Sequence, residues 1–328
     1  MKSWQVNHFF KQIILIKFGS GFLFKTIKFA IINRYFEKMR IETITNQRCT
    51  LGEGPVWDVK RNEIYWVDII NGIIHYYSFL DYVHKSYSVN EMIGSYAICK
   101  NDNLIIAAKS GIGMLNRENG KIEMLVNPES HLENNRFNDG KCDPSGRFWA
   151  GTMAISEEDN AGNLYVFDNN KIERKIENVS ISNGMAWSLD HKTFYYIDSP
   201  TFEVAAYDFD NATGNISNRQ VIITVPKSEG CPDGMTIDNE GMLWIAHWDG
   251  WQVTRWNPAT GEKLFHIKLP AARITSLTFG GRHLKDLFIT SARIGLSNHA
   301  LMEQPLAGSL FTIRNCGFEG LPAFEYNN

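Results

Sequence analysis

The stretch RFNDGKCDPSGRFWAGTM, residues 136–153, carries a pattern that recurs along the chain and decides the fold. A polar residue followed by glycine opens one short strand, a polar turn ends that strand, and a second short strand follows. The same order of features begins at Glu53-Gly54, Asn183-Gly184 and Asp233-Gly234. Short apolar strands separated by turns rich in Asn, Asp and Gly are typical of antiparallel sheets. The recurrence therefore indicates an internal repeat built from β-hairpins.

This repeat has a nearly constant length. Tyr96-Ala97 and Thr275-Ser276 fill the two remaining places, so the second residues of the six pairs are at positions 54, 97, 140, 184, 234 and 276. The intervals are 43, 43, 44, 50 and 42 residues, and periods of this order made of short strands are typical of β-propellers. Residues 41–328 show no long helical period of apolar residues, so few helices are expected. We predict an all-β fold, a single six-bladed β-propeller over residues 39–328.

Turn residues place the strand boundaries within a repeat. In the fourth repeat the four strands are expected near residues 184–188, 193–198, 203–208 and 220–225. A ring of blades needs a seam where its ends join. We predict that residues 41–46 add a strand to the last blade, beside residues 309–314. The alternative fold, an array of β-sandwiches, would not explain why all the repeats have nearly the same length.

The N-terminal segment, residues 1–38, differs from the repeats. It carries seven Lys and Arg residues against the single acid Glu37, and its apolar runs are broken by lysines. None of these runs reaches the roughly 20 residues needed to span a bilayer, and no clear signal peptide is present. It can be interpreted as a basic membrane-surface helix, a transit-like leader, or upstream sequence translated because the true start is Met39. We favour the last interpretation and predict that this extension is not part of the fold.

Composition narrows the class of protein. The net charge of -3 over 328 residues gives no reason to expect nucleic acid as a partner. The five cysteines are odd in number, widely spaced and form no C-x-x-C pair, which favours a reducing compartment and disfavours a thiolate zinc site. We therefore expect a cytoplasmic protein, without a membrane span, that acts on a small molecule.

The polar residues that open the repeats should meet at one end of a central channel, because the innermost strand of each blade lines it. Glu53, Asn183 and Asp233 offer only oxygen ligands, which suit a hard divalent cation such as Ca²⁺, Mg²⁺ or Mn²⁺. Zinc held by nitrogen and sulfur is not expected there, although zinc also binds oxygen. The alternative is that each polar residue merely caps a turn. Asp139 fits either role equally.

A cation with open coordination positions polarises a carbonyl and promotes hydrolysis of an ester or lactone. Asp233, a predicted cation ligand, could also be the general base for the attacking water. Arg136 could contact substrate oxygens through its planar guanidinium, and Asn138 could orient water or substrate. The chain has no G-x-S-x-G motif, and neither Cys142 nor Cys231 has a neighbouring histidine in sequence, so serine or cysteine nucleophiles lack support.

Five motifs in order resemble the senescence marker protein/regucalcin/gluconolactonase family of sugar lactonases: residues 53–57, 136–141, 151–153, 181–184 and 232–235. The resemblance covers about residues 41–325. It implies a six-bladed propeller that binds one divalent cation (Ca, Mg, Mn, Zn or Fe) and hydrolyses aldonolactones such as glucono-, arabino- or xylonolactone. Carried over by position, it implies that Glu53, Asn183 and Asp233 bind the cation. It also implies that Asp233 is the base and that Arg136 and Asn138 contact substrate.

Some features separate this chain from the animal members that it resembles. Those members have glutamates directly after Gly-Thr-Met, where this chain has Ala154-Ile155-Ser156 before Glu157 and Glu158. The substrate-contacting role of that glutamate is therefore not transferred to Glu157. Residues 247–251 and 275–281 look closer to bacterial sugar lactonases.

Several other assignments stay open at the level of sequence. A non-enzymatic, calcium-binding regulatory propeller would keep the same fold and ion. An esterase or phosphotriesterase would be expected to use two cations and a larger apolar pocket. Trp248 and Trp251 could pack a blade or stack on a sugar ring. His247, His283 and His299 are expected to be structural, and Tyr96 and Thr275 to line the channel without chemistry.

Overall fold

The computed structural model describes residues 40–328, so the prediction for residues 1–38 lies outside the described residues. Within residues 40–328, 24 β-strands form six four-stranded antiparallel sheets, and the only α-helix, α1, spans Asn298–Glu303. Each innermost strand contacts the innermost strands of both neighbouring sheets, and the last contacts the first. The predicted six-bladed β-propeller with few helices is confirmed. No helix in this part of the chain is long and apolar enough to cross a membrane.

The strands run from the channel outward in each of the first five blades. Blades 1 to 3 contain β2 (Gly52–Asp58), β3 (Glu63–Asp68), β4 (Ile73–Ser78), β5 (Val83–Ser88), β6 (Ile93–Ile98), β7 (Leu104–Ala108), β8 (Gly111–Leu115), β9 (Ile122–Val126), β10 (Asn135–Cys142), β11 (Phe148–Ala154), β12 (Gly162–Asp168) and β13 (Lys171–Val179). Blades 4 and 5 contain β14 (Ser182–Trp187), β15 (Thr193–Asp198), β16 (Glu203–Asp210), β17 (Asn215–Thr224), β18 (Cys231–Ile237), β19 (Leu243–Trp248), β20 (Gln252–Asn257) and β21 (Glu262–Lys268). Blade 4 agrees with the strands predicted for the fourth repeat, except that its outermost strand begins earlier.

Blade 6 closes the ring with strands from both ends of the described chain. From the channel outward it contains β22 (Arg273–Gly280), β23 (Asp286–Ala292), β24 (Phe311–Ile313) and β1 (Ile41–Thr43). Ile41 pairs with Ile313 and Thr43 with Phe311. The predicted seam is therefore confirmed, over three residues of the six proposed on each side.

The core lies between the blades. The second strand of each blade is almost entirely buried, whereas the outermost strands β5, β9, β13, β17 and β21 are mostly exposed. Trp149, Trp244 and Phe288 on second strands are 0% exposed. Burying a side chain of this size contributes roughly 1.5 to 3 kcal/mol, so packing between neighbouring blades holds the channel-lining strands in place.

The channel has an upper mouth, where the innermost strands begin, and a lower mouth, where they end. The C-terminal tail, residues 314–328, crosses the lower mouth. Its hydrogen bonds, ion pairs and ring contacts reach the first hairpin turn of every blade, at Lys60, Lys100, Gly146, His191, Asn239 and Leu284. The tail therefore joins all six blades on the side away from the residues that open the repeats.

Candidate functional site

The innermost strands are interrupted by β-bulges where the sequence repeats begin. Pairing with the second strand shifts by one residue between Glu53 and Val56, Phe137 and Gly140, Ser182 and Met185, and Pro232 and Met235. Two residues then oppose one across the ladder, which bends the strand and changes the direction of a side chain. At these bulges the side chains of Glu53, Asn183 and Asp233 no longer follow the regular alternation between the two faces of the sheet.

Glycine follows Asn183 and Asp233 because the blades approach closely there, whereas Gly54 after Glu53 has a left-handed backbone with a φ of 50°. A Cβ atom on Gly184 would lie 2.6 Å from Met235 Cβ, and one on Gly234 would lie 2.2 Å from Ser276 Oγ. Both distances are far shorter than a normal contact between non-bonded heavy atoms. The recurring pair of a polar residue and glycine thus combines a side chain at the channel with a backbone that admits the next blade.

Three carboxyl groups meet at the upper mouth. The carboxyl groups of Glu53 and Asp233 lie close enough for each to shift the pKa of the other, and the charge of Asp139 acts on both. Burial, reinforced by Asp139, raises the pKa of Glu53 to about 8. Burial and then Glu53 and Asp139 raise the pKa of Asp233 well above its ordinary value, and burial raises the pKa of Asp139. Holding all three ionised at neutral pH therefore requires added positive charge.

The two basic residues beside these acids donate mainly to neutral oxygens. Arg136 Nη1 donates to Phe137 O at 2.9 Å and to Asn138 Oδ1 at 2.7 Å. Lys141 Nζ donates to the carbonyl oxygens of Met185 and Met235 at 3.0 and 2.7 Å. Burial lowers the pKa of Arg136 to about 10 and also lowers the pKa of Lys141. Among residues 40–328 no Lys, Arg or His forms a direct ion pair with any of the three acids.

Asn183 presents an amide oxygen at the same mouth. Its Nδ2 donates to Ser199 Oγ at 2.8 Å, and its Oδ1 accepts only a long bond, 3.4 Å, from Asn138 Nδ2. Asn138 Nδ2 also donates to Ser182 O at 2.8 Å. Ser199, which sequence reasoning missed, donates in turn to Pro232 O at 2.7 Å. This chain of hydrogen bonds connects blades 3, 4 and 5 and ends beside Asp233.

The carboxylates also have the capping role considered as the alternative. Glu53 Oε2 accepts from Gly54 N at 2.7 Å, and Asp139 Oδ1 accepts from Gly140 N at 2.8 Å. Each carboxylate has a second oxygen, so capping does not prevent it from binding a ligand. The two interpretations are therefore compatible.

The donor set fits a hard divalent cation. Glu53, Asp233 and the Asn183 amide supply oxygen donors, and burial together with neighbouring negative charge raises the pKa values of the two acids. Such cations prefer carboxylate and carbonyl oxygens. No group of three or more His, Cys, Asp or Glu side chains in residues 40–328 is arranged to hold a metal. A cation at this mouth would therefore need a ligand of another type, such as the amide oxygen of Asn183.

Neighbouring innermost strands brace the backbone around Glu53. The hydroxyl of Tyr96 in blade 2 donates to Gly54 O at 2.9 Å. Thr275 Oγ1 in blade 6 donates to Gly52 O at 2.6 Å. Tyr96 and Thr275, which open the second and sixth repeats, therefore hold the backbone on either side of Glu53.

Other residues considered from the sequence have structural partners. Thr152, in the Gly-Thr-Met motif, donates to buried Glu129 at 2.9 Å. His247 Nε2 is 2.6 Å from Thr254 Oγ1, and burial lowers the pKa of His247 to about 4. The guanidinium of Arg273 lies over the ring of Trp248, 4.7 Å from its centroid. The five cysteines are unpaired.

Glu157 lies close enough to the site for its charge to act on Arg136. It is on the loop after β11 and has a φ of 59°, a backbone conformation that is uncommon for a side chain of this kind. Its place in the sequence gave no reason to assign a role to Glu157. The loop that carries Glu157 joins the second and third strands of blade 3, at the upper mouth. This loop position is the signal from which its proximity to the site could have been inferred.

The comparisons with known proteins agree with this fold. Residues 51–293 match the family described as SMP-30/Gluconolactonase/LRE-like region. The chain is 38% identical to regucalcin of Bos taurus over 88% of its own length and 98% of that protein. The chain belongs to this family, and the resemblance inferred from the sequence motifs is confirmed.

Two solved structures extend the comparison. A luciferin-regenerating enzyme superposes with a TM-score of 0.83 at 32% identity, covering 88% of this chain and 100% of the other. A structure described as the calcium-binding protein regucalcin from Agrobacterium tumefaciens has a TM-score of 0.84 at 26% identity, covering 88% and 97%. Each of the two structures therefore shares its fold with 88% of this chain.

Proposed function

We propose that this protein is a metal-dependent sugar lactonase that hydrolyses aldonolactones, such as glucono-, arabino- or xylonolactone, to aldonic acids. The observation that carries the proposal is the buried Glu53–Asp233 pair at a channel mouth, beside the amide of Asn183. In the part of the chain that the structure describes, this pair has no direct countercharge. Membership of a family whose description includes gluconolactonase supports this class of reaction.

Glu53, Asn183 and Asp233 would hold one divalent cation, with Ca, Mg, Mn, Zn and Fe as candidates. When bound, the cation polarises the lactone carbonyl. Its positive charge would favour the ionised form of Asp233, since the raised pKa reflects burial and neighbouring negative charge. Asp233 would then accept the proton of the attacking water.

Arg136 and Asn138 would orient the lactone. Arg136 Nη1 is occupied by Asn138 and its own backbone, which leaves Nε and Nη2 to donate to substrate hydroxyl oxygens. Asn138 has its amide orientation fixed on both sides, since Oδ1 accepts from Arg136 and Nδ2 donates to Ser182 O. Because the two residues are linked, they would act as one substrate-binding unit.

Proton release by a panel of aldonolactones, followed in a pH-stat with each divalent cation in turn and with chelator, tests the proposal. We expect turnover of at least one lactone, its loss on chelation, and its recovery when the cation is restored. Absence of turnover with every cation, despite measurable cation binding, would contradict it. That result would favour the second candidate.

The second candidate is a non-enzymatic, calcium-binding regulatory propeller. It is favoured by the 38% identity to regucalcin and by the likeness to a bacterial relative described as calcium-binding. Such a protein would need the oxygen ligands but no general base. Calcium binding that persists in Asp233→Glu and in the wild type, without hydrolysis in either, would distinguish it from a lactonase.

A further inference from the structure

Ser199 connects two of the three proposed cation ligands. It lies at the start of the short turn Ser199–Thr201, between the second and third strands of blade 4, and is 4% exposed. Its Oγ accepts from Asn183 Nδ2 at 2.8 Å and donates to Pro232 O at 2.7 Å. Pro232 O belongs to the peptide group that leads into Asp233. One hydroxyl therefore touches the amide of one ligand and the backbone of another.

Counting protons fixes the direction of each bond. A carbonyl oxygen can only accept, so the single proton of the Ser199 hydroxyl must go to Pro232 O. The hydroxyl is then left as an acceptor and must face the NH₂ group of Asn183. If the Asn183 amide were rotated by 180°, its oxygen would face a hydroxyl with no proton to give. Its nitrogen would face the donor Asn138 Nδ2 in addition.

The geometry points to Ser199 as a positioning residue that keeps the amide oxygen of Asn183 turned toward the cation site. This inference rests on the proposed cation site at Glu53, Asn183 and Asp233. An amide has only one oxygen, so a rotated Asn183 would present a nitrogen that cannot bind a cation. Partners that orient a metal ligand in this way typically contribute about 10 to 100-fold to metal affinity.

Titration calorimetry of the full chain with MnCl₂ and with CaCl₂ tests this role. We expect Ser199→Ala to weaken cation binding by about 10-fold or more, and Ser199→Thr, which keeps the hydroxyl, to restore most of the affinity. Ser145→Ala is the matched control, because Ser145 Oγ also donates to a carbonyl of another blade, Asn211 O at 2.7 Å, but near the lower mouth. Its cation affinity should equal that of the wild type. Thermal unfolding of each variant checks folding.

The same substitution in an Asn183→Asp protein separates an effect on the orientation of the Asn183 amide from a general effect on the structure. In Asn183→Asp both side-chain oxygens can bind a cation, so no particular rotation is needed. Adding Ser199→Ala to that variant should change cation affinity less than 3-fold, an outcome that a purely structural role for Ser199 would not produce. An equal loss in both backgrounds, or wild-type affinity in Ser199→Ala, would overturn the inference while leaving the cation site standing. A wild type that binds neither cation would overturn the cation site and this inference together.

Discussion

Buried acids at the two ends of the channel have different surroundings. Near the lower mouth, Asp58, Asp143 and Asp238 lie at the ends of innermost strands or in the turns that follow, and each is at most 1% exposed. Each pairs with an arginine at 2.6 to 2.7 Å. The second oxygen of each carboxylate accepts backbone N–H groups of its own turn. These acids are completely paired within the chain.

Glu53, Asp139 and Asp233 at the upper mouth are similarly buried, between 6% and 7% exposed. Within residues 40–328, however, no arginine or lysine forms an ion pair with them. Leaving a buried carboxylate without a countercharge costs several kcal/mol. Buried acids at the lower mouth are therefore paired with arginines, whereas buried acids at the upper mouth are not. This difference indicates that the lower acids stabilise the fold, whereas the upper acids are suited to binding a cation from solution.

The largest expected effect is on the chemical step. Asp233→Asn should lower lactone turnover by about 10³-fold, because an amide cannot accept the proton of water, with a melting temperature within a few degrees of the wild type. Asp238→Asn should behave in the opposite way. It leaves Arg255 buried with a weakened partner, costing about 3 to 5 kcal/mol, while the turnover per folded molecule is retained. Steady-state kinetics and calorimetric unfolding of both variants check this contrast.

An Asp233→Asn variant that keeps near-normal turnover would remove the general-base assignment. Loss of turnover together with loss of the fold would instead assign Asp233 to stability, like the acids near the lower mouth.

The second prediction compares two buried arginines. Arg136→Ala should raise KM for the lactone by about 10 to 100-fold, the cost of losing charge-assisted hydrogen bonds of about 1.5 to 3 kcal/mol, with little change in cation affinity. Arg147→Ala should leave KM unchanged and lower stability, because Arg147 Nε is bound to Asp143 at 2.6 Å. Kinetics and cation titration separate the two. A selective loss of cation binding in Arg136→Ala would show that Arg136 supports the cation site.

The contrast between the mouths could be predicted only in part from the sequence. The repeat period located Glu53, Asn183 and Asp233 at equivalent places, because a bulge and a glycine are local features that recur in each blade. The lower acids can also be recognised in the sequence as turn residues, but the arginines that pair with them cannot be identified from the sequence. Arg117, which pairs with Asp58, comes from the neighbouring blade.

Two further features have no repeated pattern that would reveal them. Ser199 lies in a loop between two strands of blade 4, and its role depends on the position of a carbonyl in blade 5. The C-terminal tail contacts six turns with residues of unrelated types, so no period predicts it. The fold could be predicted from the sequence because its pattern repeats. The roles of loops that do not repeat depend on tertiary contacts and could not be predicted in this way. The roles assigned to the site residues stay predictions.

The third prediction concerns pH and the cation-free protein. The pKa of Glu53 is about 8 in the fold, against an ordinary value of 4.5. The folded state therefore holds a proton that the unfolded state has lost, and stability falls as pH rises through this window. His75 and His247, whose pKa values burial lowers from 6.5 to about 4, have the opposite effect below pH 6.5. Between pH 6.5 and 8.5 these histidines no longer contribute. The five cysteines, whose pKa values burial raises from 9.0, add a fall of the same sign near pH 8.5. The contribution of the acids is therefore the difference between the wild type and Glu53→Gln.

Between these two pH values the melting temperature of the cation-free wild type should fall by about 3 to 5 °C. Glu53→Gln should show a smaller fall, because one titrating group is gone, and saturating Ca²⁺ should reduce it as well. Differential scanning calorimetry in the presence of chelator measures all three. A melting temperature that does not change between pH 6.5 and 8.5 would show that the upper acids are neutralised within the chain after all.

The smallest expected effects come from two tyrosines, one near each mouth. Tyr96 donates to a neutral carbonyl, Gly54 O, so Tyr96→Phe should cost about 1 kcal/mol of unfolding free energy. Tyr65 is bonded to two charged groups, Arg117 Nη2 at 2.8 Å and Glu63 Oε2 at 2.5 Å. Tyr65→Phe should therefore cost about 1.5 to 3 kcal/mol. Only Tyr96→Phe should weaken cation binding, by less than about 5-fold, since it loosens the peptide next to Glu53. Equal effects on cation binding would mean that the channel transmits changes between its ends, and the two mouths could no longer be treated as independent.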